Sequence, residues 1–75
     1  MKLIDEVKAA RSLPPPPVAR QIRETAGVSQ TRIGQELGVH RVTVARWEAG
    51  GRQPRGELRA AYARLLEDLR KAVTA

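Results

Sequence analysis

The chain has 75 residues, 41% of them hydrophobic but only 3% aromatic, with no cysteine and a formal net charge of +6. That length supports one small domain with an aliphatic, alanine-rich helical core, and it leaves no room to enclose a substrate cavity. The composition excludes a disulfide framework and a cysteine-ligated metal and fits a soluble protein of a reducing cytoplasm, because Asp5 and Glu6 interrupt any leader-like run and no stretch is long and apolar enough to span a membrane.

Lys2 to Arg11 carries Leu3, Ile4, Val7 and Ala10 at helical spacing and predicts a short lead helix. It stops before Pro14 to Pro17, a run whose interior is incompatible with a helix and which favours polyproline II, a stiff connector of about 12 Å. The run reads as a spacer, or as a proline-motif ligand for another protein. Residues 1–17 are therefore set apart as lead helix and linker, a place for a possible protein partner, from a domain at 18–75. The next helix is expected over Val18 to Ala26, with Pro17 able to sit at its first turn, Val18, Ile22 and Ala26 on one face and Gly27 ending it.

Ser29 is an N-cap for a helix Gln30 to Leu37, although Arg32 stands where a capping box has Glu or Gln. Gly38 then supplies a sharp turn into a second short helix, 40–49, and Gly34 lets the two backbones approach. At 100° per residue, Arg41, Val42, Ala45, Arg46 and Ala49 fall on one outward arc, with His40, Val44 and Trp47 on the inward one and Glu48 at the flank. Gly50 to Gly56 is a loop by composition. From Glu57 to Val73 the residues Leu58, Tyr62, Leu65, Leu66, Leu69 and Val73 keep a 3.6 period, which predicts one long terminal helix. Leu66, Leu69 and Val73 exceed what so small a core requires, making that helix the candidate surface for a homodimer.

The basic excess is concentrated on the motif. Residues 18–55 carry seven Arg against Glu24, Glu36 and Glu48, whereas the segments on either side carry a net +1 each. Either these arginines merely solvate helix faces, or they attract a polyanion through counterion release, with nucleic acid the first partner to consider. An anionic membrane surface is disfavoured because no helix joins a strong apolar face to a lysine-rich one. On the outward arc, Arg41 and Arg46 have the reach to pair with guanine O6 and N7, Val42 can press on a thymine methyl, and Ala45 keeps the helix close to the bases. Gln30 and Thr31, at the start of the preceding helix, are placed to hold a phosphate. Trp47 belongs to the core rather than to a base stack. The lone His40 makes no metal site. The pairs Asp5/Glu6 and Glu67/Asp68 are solvated rather than catalytic, and neither a phosphate-binding glycine loop nor a nucleophile–histidine set is present, so an enzyme is not expected and no cofactor is needed.

The segments IRETAGVSQTRIGQELGV and TVARWEAGGRQP, with their spacing between Gln30, Gly38, Trp47, Glu48, Gly50 and Pro54, resemble the lambda-repressor/Cro-like helix-turn-helix family of bacterial and phage regulators. The resemblance covers about residues 18 to 66. It implies an all-α, compact domain of about five helices, here with an extra N-terminal helix before the prolines and a long C-terminal helix in place of the usual two. It also implies a cytoplasmic, sequence-specific binder of duplex DNA that acts as a transcription repressor, in most relatives as a two-fold dimer. Residue by residue, it implies base contacts by Arg41, Val42, Ala45 and Arg46, phosphate contacts by Gln30, Thr31, His40, Thr43, Arg52, Gln53 and Arg55, and a buried ion pair between Arg23 and Glu48. Where relatives have Ser or Thr capping the recognition helix this chain has His40, for which capping, phosphate contact and packing all stay open. The other reading is an antitoxin or similar interaction module carrying the same motif.

Overall fold

A computed structural model describes residues 2–74, among which five helices follow one another: α1 (Lys2–Arg11), α2 (Pro16–Thr25), α3 (Gln30–Leu37), α4 (Arg41–Ala49) and α5 (Gly56–Thr74). No strand occurs among the described residues, and none of these helices is long and apolar enough to cross a membrane. The architecture is thus the all-α, five-helix domain with a long C-terminal helix that the sequence predicts. α5 packs against α1, α2 and α3, while α4 is held by α3 and α2. Ala19, Ile33, Val44, Trp47, Tyr62 and Leu66 form the buried centre, and the rings of Trp47 and Tyr62 lie 4.8 Å apart at a 40° tilt. That spacing is typical of a favourable aromatic pair, so the chain's two aromatic side chains tie α4 to α5.

Three expectations need correction. The proline run is extended only as far as Pro15, at φ −56°, ψ 153°: Pro17 sits in the first turn of α2, as the sequence allows, and Pro16 joins it there. The first turn of a helix has no intrahelical use for its N–H groups, and proline's fixed φ already suits it. Val18 and Ala19 then donate to the Pro15 carbonyl at 3.0 and 2.9 Å. Only Leu13 to Pro15 remain as connector, and Leu13 packs against the core.

Most of the apolar residues that predict α1 stay exposed. Leu3, Ile4 and Val7 are 64%, 50% and 45% exposed, and α1 buries no residue. Glu6, Ala9 and Ala10 are its half-buried residues, and Arg59 Nε donates to the Ala10 carbonyl at 3.0 Å. The apolar surplus of α5 is also smaller than its period implies. Leu66 is fully buried and Leu69 packs against the core beneath α2, which leaves Val73 as the exposed member.

Candidate nucleic-acid interface

The turn between α3 and α4 is set by two glycines with different tasks. Gly38 ends α3 at φ 73°, a left-handed conformation that costs an L side chain strain. Gly34 is buried at the crossing, where a Cβ would lie under 3 Å from the Val39 carbonyl oxygen. The Val39 N–H donates to the Gly34 carbonyl at 2.8 Å, closing the turn. Ser29 Oγ accepts from the Arg32 N–H at 3.0 Å, the N-cap its position predicts.

His40 is not on the inward face. It is exposed, with extended dihedrals (φ −74°, ψ 150°), and its Nδ1 accepts from the Val42 N–H at 3.0 Å as the N-cap of α4. The wheel fails there because a cap residue precedes the first helical dihedrals, so its side chain does not share the helix's angular progression. From Arg41 onward the periodicity holds: Arg41, Val42, Arg46 and Ala49 are exposed, Thr43 and Ala45 half-buried, Val44 and Trp47 buried.

Beneath this face lies a charged network. Arg23 of α2 grips Glu48 of α4 with Nε on Oε2 and with Nη2 on Oε1 at 2.9 Å, while its Nη1 donates to the Val28 carbonyl at 2.8 Å. The two side chains are 11% and 3% exposed, so the pair is shielded from water and from salt. Burial pushes the Glu48 carboxyl up, but hydrogen bonds from Arg23 and Gln30 and the charge of Arg23 outweigh it and hold the group below its ordinary value. The bond to Glu48 in turn raises Arg23.

Gln30 Nε2 also donates to Glu48 Oε1, at 3.0 Å, and Gln30 Oε1 lies 3.5 Å from Arg41 Nη1. A carboxylate only accepts, so Glu48 dictates which end of the Gln30 amide faces inward and which faces Arg41. Sequence reasoning misses this link, because eighteen residues separate Gln30 from Glu48 and no helical period connects them. Thr31, beside it, is exposed at the start of α3.

After α4 the chain turns at Gly50 (φ 79°), and the N–H groups of Gly51 and Arg52 return to the Arg46 carbonyl at 3.1 and 3.4 Å. This folds the following loop against the end of α4, with Pro54 buried and Arg52, Gln53 and Arg55 exposed. Thr43, Arg52, Gln53 and Arg55 thereby line one open cleft of about 890 Å³. Among the described residues, Arg41, Arg46, Arg52 and Arg55 take part in no ion pair, whereas Arg20, Arg32 and Arg70 are paired with Glu24, Glu36 and Glu67. No group of metal-ligating side chains occurs among the described residues.

Residues 20–70 match the family model HTH_3, described as helix-turn-helix. The chain belongs to this helix-turn-helix family. No curated protein and no solved structure matches it. The helix-turn-helix domain it carries is of the superfamily that includes the Cro and lambda repressors, whose members are DNA-binding regulators and not enzymes. The match begins within α2 and ends within α5, so α1 and the prolines lie outside the helix-turn-helix region.

Proposed function

We propose that the protein is a sequence-specific binder of double-stranded DNA that represses transcription by occupying its operator, with α4 in the major groove. Arg41, Val42, Ala45 and Arg46 read base edges in this assignment. Gln30, Thr31, His40, Thr43, Arg52, Gln53 and Arg55 hold phosphates and set the register without carrying sequence information. One observation carries the reading: the single carboxylate of α4, Glu48, is buried and neutralised by Arg23, so the exposed face of the helix presents Arg41 and Arg46 with no opposing charge. Gln30, fixed by Glu48, positions Arg41 for this task.

Two copies bind a two-fold operator through the last turns of α5. Val73 there borders a shallow apolar groove with Val18 and Ile22 of α2. Half-sites then lie about 10 bp, or a multiple, apart. The antitoxin-like reading draws on a different feature, the exposed stripe Leu3, Ile4 and Val7 of α1, which is a surface for a protein partner.

Selection of bound duplexes from a random pool tests the assignment. Enrichment of one motif supports it, and inverted repetition of that motif supports the dimer. Retention of all sequences alike, or of none, overturns it.

A further inference from the structure

We propose that the DNA footprint extends beyond the helix-turn-helix region onto the lead helix, with Arg11, backed by Lys8, contacting the phosphate backbone of the duplex held by α4 and the loop after it. The inference rests on the DNA-binding reading and adds a contact that the family match, beginning at residue 20, does not include. Arg11 shares a small groove with Gly56 and Arg59 at the start of α5, and Gly56 follows Arg55 directly in the chain. The last turn of α1 thus lies next to the point where the Arg52 to Arg55 loop enters α5.

The connector holds that turn in place. Pro14 to Pro16 line a groove together with Trp47, Gln53 and Arg59, so α1 leaves the domain beside the loop rather than on a free tether. Arg59 fastens the Ala10 carbonyl from below.

Among the described residues the Arg11 side chain makes no hydrogen bond, and it does not cap its own helix. The final carbonyls of α1 are served by Ser12, whose Oγ donates to Ala9 at 2.7 Å and whose N–H lies 3.2 Å from the Lys8 carbonyl, and by the Leu13 N–H on Ala10. Arg11 and Lys8 are exposed and take part in no ion pair among the described residues. The groove is lined by Arg11 and Arg59 against Glu6 alone. Arg11 thus adds a cation, from outside the helix-turn-helix region, to those that Arg52 and Arg55 offer a phosphate.

Fluorescence anisotropy with the selected duplex and a scrambled one, between about 50 and 200 mM salt, separates the outcomes, since each phosphate contact contributes about 0.9 to the slope of log K against log salt. Arg11→Gln lowers the slope by about one contact and weakens both duplexes by the same factor, and Lys8→Gln added to it lowers the slope further. Arg52→Ala serves as the positive control and Arg64→Gln, exposed midway along α5 and outside the last turns, as the negative one. An unchanged slope for Arg11→Gln while Arg52→Ala lowers it refutes this contact and leaves the DNA-binding reading standing. An equal drop for Arg64→Gln means that only net charge matters, and refutes it too. Failure of the unaltered protein to bind either duplex overturns both.

Discussion

In the proposed reading Arg41 meets two demands at once: it is exposed, as reaching a base requires, and it has to be ordered enough to discriminate. Gln30 supplies the order, because its amide is oriented by the buried Glu48 and presents its oxygen to the guanidinium. Arg41→Ala is expected to cost about 1 to 3 kcal/mol on the specific site and to relax preference at one base pair, read by repeating the selection with the variant. An identical enriched motif would refute base reading by this residue. The Arg23–Glu48 pair beneath acts on stability instead. Removal of either partner strands a buried charge and is expected to cost about 3 to 5 kcal/mol, with strong coupling in a double-mutant cycle of thermal melts. Since folding depresses the Glu48 pKa, its contribution is complete above the unfolded carboxylate value and fades as pH falls through the lower, folded one. The melting temperature should therefore hold down to about pH 5 and fall in stronger acid, and Glu48→Gln should lower the plateau while flattening that fall. Tyr62 has the opposite sign. Burial raises its phenol to about 12, so its contribution is complete below the unfolded value and fades as pH rises towards 12. Its hydroxyl is buried without a hydrogen-bond partner, so Tyr62→Phe should leave the neutral-pH melt unchanged or higher and reduce the alkaline loss. A large loss at neutral pH would reveal a partner for that hydroxyl.

At the scale of helices, the α3–α4 crossing depends on backbone proximity rather than on large side chains. Gly34→Ala gains about 1 kcal/mol of helix propensity but drives a methyl into the Val39 carbonyl. The net expectation is a destabilisation of about 1 to 3 kcal/mol in thermal unfolding, and an unchanged melt would argue against so close a crossing. This element was legible because glycine at 34 and 38, the Ser29 cap and the apolar spacing of Ile33, Leu37, Val44 and Trp47 all agree locally. The ends of α2 and α4 were less legible. The proline run is read as a connector with Pro17 alone allowed into the next helix, although Pro16 also fits the one turn where proline is tolerated, and a histidine cap has no strong sequence signature. The packed alanines, Ala19, Ala60 and Ala63, were illegible as core, since small residues add little to an apolar period. The Arg23–Glu48 pair was anticipated through the resemblance, whereas the Gln30 link between that pair and Arg41 was not, because it exists only once three helices are folded together.

Over the whole molecule, exposed apolar groups fall into separate regions: Leu3, Ile4 and Val7 on α1, Val18 and Val73 by the α2–α5 groove, and Val42 on the proposed reading face. The proposed self-association uses the end of α5 and neither of the other two surfaces. Val73→Glu is expected to shift sedimentation from dimer to monomer and to leave the melting temperature within a few degrees, because the residue is 47% exposed. A dimer that survives the substitution would move the interface elsewhere. Finally, the histidine that starts α4 fixes its own chemistry. To accept from the Val42 N–H, Nδ1 must keep its lone pair, so the capped state is the neutral tautomer with its hydrogen on Nε2. In the proposed complex that hydrogen is left to donate to a phosphate while the cap stays in place. The two nitrogens of one ring hold these tasks apart, whereas Ser or Thr in the same place would perform both with a single oxygen.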